Sequence, residues 1–180
     1  MKRIQSIALS FALVALPFTL ARAGSKPGNT MSAKALFEQI DLNSAEIADV
    51  AQRMEEQAKS AQDPQAHIVD LDTLRNDVNS VGNELTMLDA ERSSLAPWEV
   101  EALDRTTTLM ADVAANAEKA IETFNSDRTH LWATAFPAET AKASSEADEV
   151  KTLVSGYLKL AKAREQEARL ENSLRVGPQE

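Results

Sequence analysis

Two histidines are all the imidazole in this chain, and each stands three residues from an aspartate: His67 with Asp70, and Asp127 with His130. Residues three apart on a helix are surface neighbours, so each pair can present a nitrogen and a carboxylate on one face. Two such pairs at one end of a helical bundle would offer zinc or copper two nitrogen and two oxygen ligands. The positions allow it. Counted from the turn near Ala96, the histidines lie 29 and 34 residues out, an axial offset of about 7 Å at the rise of a helix. A purely structural role stands beside this reading: His67 falls four residues before Leu71 in an apolar stripe, and His130 suits a helix C-terminus.

Other chemistries have fewer residues to draw on. The i,i+3 spacing is that of the Glu-x-x-His pairs in di-iron bundles, but the acids here are aspartates and no further bundle glutamates are identifiable, so no family follows. There is no cysteine, which removes thiol catalysis, iron–sulfur ligation, covalent haem attachment and disulfide frameworks together. No Gly-x-Ser-x-Gly nucleophile motif occurs. A noncovalent haem would need a core methionine opposite a histidine, and Met54 and Met110 fall some turns from the histidine end. The acidic clusters Glu55-Glu56, Asp70-Asp72, Glu99-Glu101 and Glu146-Asp148-Glu149 sit mostly off the apolar stripes, as a solvated face does. No catalytic residue is assigned, and no cofactor apart from the zinc or copper option.

The elements that must position these residues are helices. Aromatics make up 4% of the chain and glycine occurs five times, while alanine, leucine, glutamate and lysine abound; strand-rich domains draw on other types. Apolar positions recur at alternating spacings of three and four. The first stripe is Phe37, Ile40, Ser44, Ile47, Ala51, Met54, Ala58 and Ala61, mixing small residues with large so that a neighbouring helix can come close. Asp63 and Pro64 read as cap and first residue of a second helix. Its stripe is Leu71, Leu74, Val78, Val81, Leu85, Leu88 and Leu95, with Arg92 as the one polar intruder. Pro97, with Glu99 behind it, opens a third helix carrying Leu103, Thr107, Met110, Ala114, Ala117, Ile121, Phe124 and Leu131. Thr134 to Pro137 open a fourth, whose broader stripe is Ala143, Ala147, Val150, Val154, Tyr157, Leu158 and Ala161 with Leu153 and Leu160 beside it; it turns mostly charged past Lys162 and stops at Gly177-Pro178. Trp98 and Trp132 mark the two ends of the third helix and are expected to cover the ends of the core.

Short connections between four long helices predict an all-α, up-down-up-down antiparallel four-helix bundle over residues 32–176, with a tail at 177–180. Two hairpins that complete their core by dimerising are the alternative. Ahead of the bundle, Lys2 and Arg3, the apolar run Ile4 to Leu20 and the small-x-small tripeptide Ala21-Arg22-Ala23 form an export signal over 1–23, followed by a flexible leader at 24–31. Its removal takes away three basic residues and no acid, moving the formal charge from −9 to −12. Such an acidic product is a poor ligand for nucleic acid, and no later segment reaches spanning length. The expected function is that of an exported, periplasmic or secreted helical module, noncatalytic, contacting another exported protein or a second copy of itself through its helix faces or through the charged extension from Lys162 to Arg175. The alternative is a binder of metal or another cationic ligand at the His67/His130 end.

Overall fold

The computed structural model describes residues 31–59 and 64–175. The expected signal peptide and nearly all of the leader, the Asp63 cap, Ala61 and the Gly177-Pro178 stop lie outside them. Four helices make up almost everything described: α1 (Ala33–Lys59), α2 (Pro64–Ala90), α3 (Pro97–Ser126) and α4 (Phe136–Arg175), with 3₁₀ turns at Arg92–Ser94 and Leu131–Ala133. No strand occurs among the described residues, and no helix there is long and apolar enough to cross a membrane.

Three of the helix starts show a local cause among the described residues. At α1 the Ser32 hydroxyl accepts the N–H of Ala35 at 3.2 Å. At α3 proline occupies the first turn, and the Glu99 carboxylate accepts the N–H of Ala96 at 2.7 Å. Ala96 has no oxygen to return that bond, so only the glutamate half of a capping box operates. At α4 the Thr134 hydroxyl accepts the N–H of Phe136 at 3.2 Å.

All four helices contribute to one core. The α1 stripe is buried from Phe37 to Ala58, Ser44 included, and α2 buries Leu71, Leu74, Val81, Leu85 and Leu88. The α3 stripe differs from its expected line. Leu103, Met110, Ala117 and Phe124 are buried as read, but the positions between them are Thr106, Val113 and Ala120; Thr107 is exposed and Ala114 and Ile121 only half-buried. Both lines alternate three and four around the same four residues and carry one threonine and two apolar residues each. Periodicity cannot choose between them, and the direction of the neighbouring helices does. Arg92 is likewise no seam residue. It lies after the end of α2, exposed, where its guanidinium bridges Asp89 and Asp104.

Contacts run α1 to α2, α2 to α3, α3 to α4 and α4 back to α1, most extensive between α1 and α4 and sparsest between α2 and α3. Polar contacts fix the register. Asn43 meets Glu84 and Arg53 meets Asp70 between α1 and α2. Lys34 meets Glu165, Asp41 meets Ser155 and Ala48 meets Ser144 between α1 and α4. Asn116 meets Glu146 and Thr123 meets Glu139 between α3 and α4. In every case the number rises on one helix as it falls on the other.

The core predicts a graded mutational response. Leu74 is fully buried and Leu42 is 69% exposed, so urea denaturation should show a loss of about 2–5 kcal/mol for Leu74→Ala and a change within about 0.5 kcal/mol for Leu42→Ala. Equal losses would contradict this placement of the α1 and α2 faces.

Candidate functional site

His67 lies on the first turns of α2 and is 1% exposed. Its ring stands edge-on to Phe136 at 5.3 Å and tilted against Phe124 at 6.2 Å; the two phenylalanines are themselves 6.2 Å apart. Nδ1 finds no hydrogen-bond partner among the described residues. Burial lowers the histidine pKa, partly opposed by the Asp70 charge, so the ring is neutral at pH 7 and behaves as an aromatic wedge closing this end of the core.

Asp70 is directed elsewhere. Arg53 of α1 holds it through two nitrogens, Nη2 at 2.8 Å and Nε at 3.2 Å from Oδ1, with Nε also 3.3 Å from Oδ2. The carboxylate is mostly buried while the guanidinium keeps contact with solvent. This fork-like pairing links α1 to α2 beside His67 and gives the buried acid its countercharge.

The second pair is not on a helix. Sequence reading carries α3 through Leu131, but α3 ends at Ser126 and His130 stands in the connection to α4. Asp127 organises that connection: its Oδ1 accepts the N–H of Thr129 at 2.9 Å, the Thr129 hydroxyl at 2.9 Å and the N–H of His130 at 3.2 Å. Asp and Asn side chains compete with helical bonding in this way, which is why the apolar period to Leu131 survives while the helix does not. The Thr129 backbone bond, then its hydroxyl, hold the Asp127 carboxyl below its ordinary value.

His130 is exposed, with Nδ1 2.9 Å from the Thr129 hydroxyl and 3.4 Å from Asp127 Oδ2. A hydroxyl–imidazole–carboxylate relay requires the two partners on opposite ring nitrogens. Here both fall on Nδ1, which describes a turn and not a nucleophile. Leu131 beyond it is buried, and Trp132, expected to cover the core, is 51% exposed with its ring edge-on to His130 at 5.3 Å. Trp98 is half-buried and stacked on Tyr157 at the opposite end of α3.

The sequence-predicted metal residues thus do not come together: His67 is turned into the core, Asp70 is held by Arg53 between α1 and α2, and Asp127 and His130 stand in an exposed turn. Among the described residues no three histidine or acidic side chains are grouped to hold a metal ion.

One feature went unread in the sequence. Glu84 is 5% exposed between α1 and α2, with one carboxylate oxygen accepting from Asn43 Nδ2 at 3.0 Å and the other without a partner among the described residues. Burial pushes its carboxyl up to about 7, the Asn43 bond opposing. Asp77, one helical stretch earlier, is raised for the same reason, with Glu46 adding repulsion. The signal available in the sequence was position alone, since Glu84 adjoins Leu85 and Leu88 lies four residues on.

The far end of α4, read in the sequence as a charged extension, carries exposed leucines as well. Every residue from Lys162 to Leu174 is exposed, with Leu170 at 65% and Leu174 at 82%. Beside α1 this stretch borders a groove of about 510 Å³ flanked by Lys34, Glu38, Lys162 and Arg169. Compared with known protein families, with curated proteins and with solved structures, the chain matches none.

Glu84 and His67 make opposite contributions to stability against pH. Between 4.5 and about 7 the folded state holds a proton on Glu84 that the unfolded chain releases, so this group's contribution declines as pH rises through that window. His67, depressed below 6.5, is protonated first in the unfolded chain, and its contribution declines as pH falls. Glu84→Gln keeps the acceptor for Asn43 and removes the charge. Urea denaturation at pH 8 should find it about 1–3 kcal/mol more stable than wild type, with the gain gone at pH 4.5. His67→Leu should lose the acid-side decline and keep the fold. A Glu84→Gln difference independent of pH would refute the raised carboxyl.

Proposed function

We propose that this is an exported, noncatalytic interaction module: an up-down-up-down antiparallel four-helix bundle that contacts another exported protein, or a second copy of itself, through the projecting end of α4. The opposed register of every polar contact between helices supports the antiparallel arrangement. The signal-like residues 1–23 support export to a periplasm or the medium.

The observation that carries the interaction reading is α4 itself. It runs 40 residues against 27, 27 and 30 for the other helices, and from Lys162 to Leu174 it holds no buried residue while presenting Leu170 and Leu174 to solvent. A helical end without packing draws little stability from propensity alone. Leucines there offer an apolar face to something outside the protomer.

A photo-activatable residue replacing Leu174, expressed in the full chain, tests this directly. The expected outcome is a discrete covalent adduct with one exported protein or with a second copy, together with a mature N-terminus at Gly24. No adduct would overturn the interaction reading, and an N-terminus at Met1 would overturn export.

A further inference from the structure

Resting on the interaction reading, we infer that the partner of α4 is a second copy of this chain, docked antiparallel along the outer face of that helix. Positions 153, 156, 160, 163, 167, 170 and 174 alternate spacings of three and four, the seam of a two-helix pair. They hold Leu153, Gly156, Leu160, Ala163, Glu167, Leu170 and Leu174. From Gly156 onward this line lies on the side of α4 turned away from Ala147, Val150 and Val154, which fill the core; Leu153 at its start is half-buried, and Leu160, Leu170 and Leu174 are exposed on it.

Charge selects both the occupant and its direction. Exposed Lys159 and Arg164 flank the first half of the line, while exposed Glu167 lies on its second half and exposed Glu171 beside it. A parallel copy would set like charge on like and Glu167 against Glu167. An antiparallel copy centred near residue 165 sets Leu160 opposite Leu170, Glu167 opposite the small Ala163, and Arg164 near Glu167 and Glu171, each twice by symmetry. The same register lays Leu174 over Gly156. A Cβ on Gly156 would meet nothing within 4 Å in the protomer, so the monomer gains no packing from this glycine, although a mid-helix glycine is unfavourable. The chain's own leader, residues 24–31, is polar but for Pro27 and Met31 and offers too little apolar surface to cover three leucines.

The absence of native cysteine makes the register readable by cross-linking. In the full chain, Gln166→Cys places one thiol of each copy beside the symmetry axis, within reach of a short bis-maleimide. Leu174→Cys places the two thiols about 27 Å apart. The expected result is covalent dimer from Gln166→Cys and none from Leu174→Cys. Sedimentation should further show that L170D/L174D, with an unchanged helical spectrum, raises the dimer dissociation constant by about 100-fold or more. Cross-linking at 174 instead of 166, a wild-type monomer in sedimentation, or a dimer insensitive to L170D/L174D each overturns the inference. Photo-adducts at 174 that contain only a different protein overturn the second copy while the interaction reading stands; no adducts of any kind overturn both.

Discussion

The close approach of α1 and α4 is the constraint on which the rest of the structure depends. The Ser144 hydroxyl of α4 donates to the Ala48 backbone carbonyl of α1 at 2.9 Å, a bond that two helices can make only where small side chains let their backbones come together. Ala48, Ala51, Ala143 and Ala147 are the buried residues around it. First and last helices are thereby joined across the longest separation in the chain, and α2 and α3 fill the remaining side with larger groups such as Leu74, Leu88 and Leu103. A cysteine-free chain has no covalent means of tying its ends together, and here packing does so.

Tight packing also explains the polar atoms it traps. Ser44, Thr106 and Glu84 each keep a buried oxygen without a hydrogen-bond partner among the described residues. A small hydroxyl in a close seam fits where a larger apolar side chain would push the helices apart, at a desolvation cost of about 1–3 kcal/mol for each unsatisfied group. Glu84 takes the other route and shifts its pKa until the neutral acid is accessible near pH 7. Asp70 and Asn116 show the satisfied alternative, the first held by Arg53 and the second by donating to Glu146 at 2.7 Å and to the Asp112 carbonyl at 3.2 Å.

What could be read from the sequence follows the strength of each local signal. Prolines at 64, 97 and 137 located three helix starts to within a residue, because proline cannot continue a preceding helix yet suits a first turn. The α1 stripe, and the α2 stripe as far as Leu88, were legible because one side of each is apolar and the other is not; Leu95, read as the last of the α2 line, lies beyond the end of that helix at Ala90. The α3 seam was not, because Thr106, Val113 and Ala120 differ too little from Thr107, Ala114 and Ile121. The end of α3 was misjudged for a different reason: the apolar period runs on to Leu131, but hydrogen bonds from Thr129 and His130 to Asp127 end the helix at Ser126 first. The histidine pairs looked equivalent as spacings. They differ in three dimensions because Phe124 and Phe136 converge on His67, and Arg53 on Asp70, which no spacing within α2 encodes.

The same reasoning separates the two ends of the molecule. At one end, α1 finishes, α2 begins, and His67, Phe124 and Phe136 close the core with rings, while Trp132 projects from it. At the other, α4 continues past the first residues of α1, where Lys34 meets Glu165. Its core stripe then gives way to polar positions, Glu165 and Asn172 among them, while leucine persists on the opposite side at 160, 170 and 174. Were the extension only a solvated continuation of a stable helix, leucine would be the costly choice for that outer side, since lysine or glutamate serve helix propensity as well and keep the surface polar. The apolar character moves from the inner face of α4 to its outer face as the helix leaves the core, and that change of face gives the extension a surface distinct from the one that folds the protomer.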